Sequence, residues 1–342
     1  MSEKQVFLQL LNDYVNTYLP IGIGVQPNTI KSYKYAFRLL IKFMNERKGI
    51  PADTISFEDL DYDTLSEFFQ WILLERKCSE TTRNQRLAAL LSFSKYAQNR
   101  DFDAAAVFRN SIIRIPISKP RGKRRTWFTA EEMKIILSIP NDRTTIGLRD
   151  KMVLTSLYVT GARSQELCDL TVSCVRRKKN HTAIELNGKG DKRRLVNVSD
   201  KFASMLDSYL RKRRINEILD RHIFSSQTHE YMTISCVEGI VKKYVKMAKE
   251  QNPTLFTMGS YTPHSFRHST ATHMLEAGVP LMAIKKFLGH TSVQTTQVYA
   301  ELSQNAVDKY VKEWNEKWFP KEIHTLEKGI QQEGNMPSFL NI

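Results

Sequence analysis

The chain has 342 residues, 41% hydrophobic and 25% charged, the balance of a folded protein with room for two ordinary domains. No apolar run is long enough to span a membrane, and the opening MSEKQVFLQL lacks the basic and apolar regions of a secretory signal, so neither a membrane span nor export is expected, and a cytoplasmic location is. Net charge is +15, which points to a polyanionic partner: DNA, RNA or an anionic membrane surface would each fit.

The charge is uneven, since residues 1–118 carry 15 Lys/Arg against 13 Asp/Glu and the remainder carries +13. Cys78, Cys168, Cys174 and Cys236 form no CxxC pair and no extracellular framework, which predicts reduced thiols and no zinc site. In PNTIKSYKYAFRLLIKFMNERKG, Ile30, Tyr33, Phe37, Leu40, Ile41 and Met44 recur at helical spacing, with Asn28 as a cap and Gly49 beyond the end. Lys31, Lys34, Arg38 and Lys42 form a second stripe, so one face is apolar and another basic. A further helix in SETTRNQRLAALLSFSKYAQNR takes Ser79 as its cap and sets Arg83 and Arg86 near its start. Such faces suit a DNA groove or backbone, although each also reads as an ordinary solvated face. Segment 118–125, SKPRGKRR, gathers Lys119, Arg121, Lys123, Arg124 and Arg125 with no acid. It reads either as an exposed linker or as a basic strap along a phosphate backbone.

Beyond it, Thr129 caps a helix in TWFTAEEMKIILSIP, and a longer helix is expected at about 145–160. HTAIELNGKGDKRRLVNVS then changes period. Ile184 and Leu186 alternate with Ala183 and Glu185, and Leu195, Val196 and Val198 follow a turn built from Asn187, Gly188, Lys189, Gly190 and Asp191, which predicts a β-hairpin. Helices are expected afterwards at about 200–216, 233–250, 263–277, 280–288, 292–302 and 305–318. The fold class is therefore mainly α with a small antiparallel β-sheet, in two domains. A helical domain covers 1–117, a basic linker 118–128 and an α+β domain 129–302.

The stretch YTPHSFRHSTATH holds three histidines. Thr262 and Pro263 form an N-cap and N1 pair, so His264, Arg267 and His268 share one helix face. A metalloprotease helix would read HExxH. Here Ser265 follows His264, and the fixed charge of Arg267 opposes a cation and suits an anion, as do the free N–H groups of a first helical turn. His268 and His273 read as packing. Downstream, Pro280 opens a short helix and Gly289 closes it, with His290 at the junction and Tyr299 on the next helix. Upstream, in TGARSQELCDL, Gly161 ends one helix, Arg163 sits at the break and Glu166 follows at i+3. Taken singly, Tyr299 is a structural tyrosine, Arg163–Glu166 a surface pair and Lys189 a solvated turn lysine. Taken together they are what phosphoryl transfer needs. Two arginines can grip a phosphodiester, two histidines and a lysine can move protons, and a tyrosine can attack phosphorus. No carboxylate cluster marks a two-metal nuclease and no GxxxxGK[ST] marks an NTPase.

The ordered stretches TGARSQEL, NGKGDKRRLVNV, HSFRHSTATHMLEAGVPLMAIKKFLGH and TSVQTTQVYAEL resemble the tyrosine recombinase (phage integrase) family, the Xer-like recombinases and transposon integrases in particular. The spacings also match: 26 residues from Arg163 to Lys189, 23 from Arg267 to His290 and nine from His290 to Tyr299. The resemblance covers about 129–302 as a catalytic domain and makes the helical half a core DNA-binding domain. It implies that Tyr299 forms a 3′-phosphotyrosyl bond, that Arg163 and Arg267 hold the scissile phosphate, and that Lys189 protonates the leaving 5′-oxygen. It further implies that His264 assists proton transfer from the tyrosine, that His290 hydrogen-bonds the phosphate and that Glu166 supports the first arginine, with His268 as further support. No cofactor or metal is implied. The partners are double-stranded DNA with core sites and further copies of the chain, monomer or dimer before synapsis and a tetramer on two sites afterwards, exchanging strands through a Holliday junction while two domains clamp the DNA.

Gln165 stands where the family commonly has Ser or Gly. SQNAVDKYVKEWNEKWF reads as an amphipathic helix over 303–320, of the kind the family exchanges between protomers, and 321–342 as a mobile tail. No arm-binding domain precedes residue 1, which favours a simple core-site recombinase. Integration or excision of a mobile element is the expected role. The alternatives are a chromosome-dimer-resolving Xer recombinase, a type IB topoisomerase-like nicking and closing enzyme, and a DNA-binding regulator without catalysis, which the intact set of six residues opposes.

Overall fold

The computed structural model describes residues 3–119, 125–179, 181–188 and 192–289. Two units form, Met1–Lys123 and Arg124–Ile342.

In the first, α1 (Glu3–Asp13) runs into a π-helical stretch, Tyr14–Gly22, followed by α2 (Pro27–Lys48), α3 (Tyr62–Leu74), α4 (Glu80–Gln98) and α5 (Phe102–Ile112). Short polar side chains start three of these helices: Asp61, Ser79 and Asp101 accept from the backbone N–H of Thr64, Thr82 and Ala104, satisfying donors that the helix itself leaves open. The start of α2 is a correction to the expected cap. Pro27 takes the first helical position after Gln26, and Asn28 lies inside the first turn. The end is as expected, with Gly49 in the left-handed region at φ 68°. The core face of α2 is Ala36, Phe37, Leu39, Leu40, Phe43 and Met44, while Ile30, Tyr33 and Ile41 lie half-buried at its margin. Aromatic rings fill the centre of the unit. Phe7 meets Phe57 edge-on at 5.3 Å between centroids, and Phe37 meets Phe93 at 5.2 Å, the geometry that the ring quadrupole favours.

The second unit opens with α6 (Ala130–Ser138), whose Thr129–Glu132 capping box is complete. Then come α7 (Thr145–Thr160), α8 (Ser164–Cys168), β1 (Val175–Lys178), β2 (His181–Asn187), β3 (Arg193–Val198), α9 (Asp200–Lys212), α10 (Ile234–Gln251), α11 (Pro263–Glu276) and α12 (Leu281–Leu288). The strands pair antiparallel in the order β1-β2-β3, with Ile184 opposite Val196 and Leu186 opposite Arg194. The expected hairpin is thus extended by β1, whose VRRK buries only Val175 and so offers no alternation to read. Leu195, expected as part of an apolar strand, is exposed; Val196 and Val198 turn inward. Helix α9 stops at Lys212 rather than 216, and Arg214 takes a left-handed φ of 56°.

The described ends of segment 118–128 are docked rather than free. Ser118 exchanges backbone hydrogen bonds with the side chain of Asn84. The Thr126 hydroxyl donates to the Met258 carbonyl at 2.9 Å, and the N–H of Phe128, a fully buried core residue, donates to Ser269 Oγ at 2.7 Å. The helices expected at 292–302 and 305–318, with the 303–320 and 321–342 segments, lie outside the described residues. No described helix is long and apolar enough to cross a membrane.

Candidate active site

A sharp chain reversal between α7 and α8 sets the frame. Gly161 ends α7 at φ 57°, and a Cβ added there would stand 2.8 Å from Leu288 Cδ2. Only glycine combines that backbone with so close an approach of α12. Two residues on, Arg163 caps α8. Its N–H donates to Glu166 Oε2 at 2.8 Å and its Nη1 to Glu166 Oε1 at 2.7 Å. Arg163 keeps 36% of its side chain exposed, whereas Glu166 keeps 3%.

The second arginine comes from the first turns of α11, a helix that Pro263 pre-forms and that Thr262 and Ser265 cap reciprocally. Ser265, which replaces the glutamate of a metalloprotease helix, is therefore a buried cap. Arg267 is buried, 3% exposed, and donates from Nη1 to the Gly161 carbonyl at 2.7 Å and from Nη2 to the Leu288 carbonyl at 2.6 Å. It thus ties α7, α11 and α12 together beside Arg163. His264 stands at the mouth of this cluster, exposed as a residue, its ring 6.5 Å from that of half-buried His268. The protein around the His264 ring, then the charges of Arg267 and Arg163, lower its pKa below the ordinary histidine value. His273 packs as expected, sharing a 2.9 Å hydrogen bond with the Tyr158 hydroxyl.

One participant was not expected. Arg194, on β3, grips Glu166 with both ends of its guanidinium, Nη1 to Oε1 at 2.8 Å and Nη2 to Oε2 at 2.7 Å, and donates from Nε to the Phe287 carbonyl at 3.1 Å. Burial would raise the Glu166 carboxyl, but Arg194 and then Arg163 outweigh it and hold it at about 2. The signal was present in the strand period. Val198 and Val196 face inward, and two residues further back lies Arg194.

Arg163, Glu166, His264 and Arg267 are therefore brought together from two stretches about a hundred residues apart in sequence. Lys189, His290 and Tyr299 lie outside the described residues. The chain leads to the first two from described glycines at the site. Gly188 donates its N–H to the Lys192 carbonyl at 2.9 Å, and its built Cβ would lie 3.5 Å from Glu166 Oε1. Gly289 ends α12 at φ 65°, and its built Cβ would lie 3.1 Å from Arg194 Cδ. Among the described residues, no three His, Cys, Asp or Glu side chains gather as a metal site.

The basic residues of the first unit divide. Lys31, Lys34, Arg38 and Lys42 are all exposed on α2. Lys34 donates to Asn16 Oδ1 at 2.7 Å and Lys42 pairs with Glu46 at 3.4 Å. Lys31, Lys34, Tyr35, Arg38 and half-buried Arg86 line an open groove of about 1160 Å³. Arg86 is anchored there, donating to the Ser32 carbonyl at 3.1 Å with its guanidinium 4.7 Å over the Tyr35 ring. Arg83 is a correction. It is 5% exposed, lies 4.7 Å over the Phe69 ring and donates to the Pro116 carbonyl. Helix α4 turns this residue inward, where it holds the segment after α5 instead of facing solvent. Of the 118–125 cations, Lys119 is exposed and Arg125 half-buried; Arg121, Lys123 and Arg124 lie outside the described residues.

A profile of the phage integrase family matches residues 126–306, and one of the phage integrase SAM-like domain matches residues 6–110. Similar proteins include a putative integrase/recombinase, y4rD, of Sinorhizobium fredii, 30% identical over 78% of this chain and 95% of that protein. Another is the tyrosine recombinase XerD of Chlamydia trachomatis, 29% identical over 91% of this chain and 97% of that protein. Among solved structures, the Tn1549 transposon integrase in complex with transposon right end DNA superposes with a TM-score of 0.69 at 16% identity, covering 92% of this chain and 99% of that one. The XerH site-specific recombinase bound to a palindromic difH substrate, in a post-cleavage complex, gives 0.67 at 19% identity, covering 92% and 90%. At such identities the superpositions speak for the fold: mainly helical, with a small antiparallel sheet.

Proposed function

The chain belongs to the phage integrase family and is a site-specific DNA recombinase of the tyrosine type, a DNA strand transferase; we propose that Tyr299 is its nucleophile and that Arg163 and Arg267 hold the scissile phosphate. The Tyr299 oxygen attacks phosphorus to form a 3′-phosphotyrosyl bond, and the bond to the 5′-oxygen breaks. His264 takes the tyrosine proton, Lys189 gives one to the departing 5′-oxygen, and His290 hydrogen-bonds a non-bridging oxygen. The phosphotyrosine keeps the bond energy, so the free 5′-hydroxyl of the partner strand reverses the step without ATP.

The observation that carries this reading is the convergence of Arg163 and Arg267 on either side of Gly161. It sets two positive charges together, where the growing negative charge of a pentavalent phosphorus is stabilised by donors already in place. The lowered pKa of His264 supports its part, because a neutral imidazole can accept a proton. Glu166 and His268 support the cluster.

Double-stranded DNA is the substrate, in line with the DNA complexes of the Tn1549 integrase and XerH. The helical unit, 1–117, contacts the duplex through Lys31, Lys34, Arg38 and Lys42, and the basic residues of the 118–128 linker run along the backbone. Four protomers act on two sites through a Holliday junction, with the 303–320 helix exchanged between them, in the cytoplasm and on a mobile element. A nicked suicide substrate tests the chemistry. Wild type is expected to become covalently attached to its own site and Tyr299→Phe to give no adduct. A Tyr299→Phe protein that still traps DNA rules out this nucleophile.

A further inference from the structure

Among the described residues, Arg194 bonds to neither arginine of the site nor to His264, yet it binds both halves of the site. We infer that Arg194 is a positioning residue for strand cleavage, locking the start of α8, which carries Arg163, to the end of α12, from which the chain runs on to His290 and Tyr299. The inference rests on the proposed function and adds a residue to it.

The geometry is specific to arginine. Three of its nitrogens are used in three directions: Nη1 and Nη2 on the two oxygens of Glu166, and Nε on the Phe287 carbonyl. A lysine ammonium reaches one such partner and cannot match the fork. The side chain is 11% exposed, and Gly289 leaves room for it, since a Cβ there would crowd its Cδ at 3.1 Å. The next carbonyl along α12, that of Leu288, is held by Arg267. Two arginines thus hold consecutive carbonyls at a helix end where such groups lack intrahelical donors, and each carries the link to the other side of the site. Arg194 continues through Glu166 to Arg163; Arg267 continues to Gly161. A residue present only to neutralise a buried carboxylate would need no bond to Phe287.

Among the described residues, the charged and titratable groups facing Glu166 are Arg163 at the start of α8, Arg194 from β3 and, across the pocket, His264 from α11. In wild type the carboxyl is ionised throughout the working pH range. Without Arg194 it loses the stronger of its two ion-pair partners while staying buried, so its pKa rises and it takes up a proton as pH falls through the new value. Arg163 then loses its anchor on the acid side alone.

The experiment is single-turnover cleavage of the nicked substrate by the full chain, followed across pH, with melting temperature and gel-shift affinity measured on the same samples. Arg194→Gln is expected to cleave about 100-fold more slowly, the cost of an angstrom-scale misplacement of reacting groups, while binding DNA as wild type does. It should also show a second protonation on the acid side, that of Glu166, beyond the one His264 gives wild type. Arg194→Lys should fall between the two. Glu166→Gln should cost much less in the Arg194→Gln background than alone, because both act on Arg163 by one route. Wild-type cleavage by Arg194→Gln overturns the inference and leaves the proposed function standing. So does a rate loss with an unchanged pH profile and a matching fall in melting temperature and DNA binding, which is the signature of a fold contact only. If wild type itself forms no adduct, the proposed function fails and the inference with it.

Discussion

The cations of α2 stand out in solvent, whereas Arg194 and Arg267 of the second unit are sunk among backbone carbonyls and a carboxylate. The two arrangements do different work. An exposed lysine near a phosphate acts through its charge, tolerates replacement by another cation and weakens with salt. A buried arginine acts through direction, and its loss leaves specific acceptors unpaired. Arg83 shows that residence in the first unit does not decide the matter, because it is built like the arginines of the second.

The largest effect that would test this contrast is at Arg267. Arg267→Ala is expected to lower single-turnover cleavage by about 1000-fold, the scale of losing an oxyanion-type donor, and to lower stability as well because two carbonyls lose their donor. An Arg267→Ala protein with normal stability would break the comparison. Arg83→Ala should destabilise the first unit by about 1–3 kcal/mol, the scale of losing the hydrogen bond of a buried charged group, read by urea unfolding, while the salt dependence of DNA binding keeps its wild-type slope. Lys34→Ala and Arg38→Ala should do the reverse. Each should reduce the slope of log affinity against log salt by about 1 and leave stability within about 0.5 kcal/mol.

The smallest expected effect is in pH. The folded pKa of His264 lies below its unfolded value, so the ring stays neutral above the ordinary histidine range, about 6.5. Cleavage should be level between about pH 7 and 8 and fall only as acid protonates His264 below that range. Its small contribution to stability follows the same sign, complete above the unfolded pKa and lost as pH falls through the folded one. A decline in cleavage that begins above neutrality would contradict the assignment of His264 as the acceptor.

Periodicity made the helices and the β2–β3 hairpin legible, because residues such as Phe37 and Leu40 or Ile184 and Leu186 repeat at intervals that only one element accommodates. It missed β1, whose three exposed residues carry no pattern. It also misassigned Arg83, since basic spacing marks a helix face without saying which neighbour covers it. The candidate site was legible as an ordered set of residue types, of which Arg163, Glu166, His264 and Arg267 lie together among the described residues. Arg194 stayed hidden in a run of three basic residues, Lys192, Arg193 and Arg194, which read as a charged hairpin until the inward side of the strand singled one out.

The bond from Arg267 to the Gly161 carbonyl spans 106 residues, and this separation has a consequence for synthesis. A chain leaves the ribosome N-terminus first, at about 5–20 residues per second, so Gly161 waits roughly 5 to 20 s for its partner. The helical unit can fold in that interval, since the contacts that define it come from its own residues. The cluster around Arg267 cannot close until α11 and α12 have emerged, and Tyr299 emerges later still. A nascent chain therefore completes its helical unit well before the arginine cluster of the second unit can assemble.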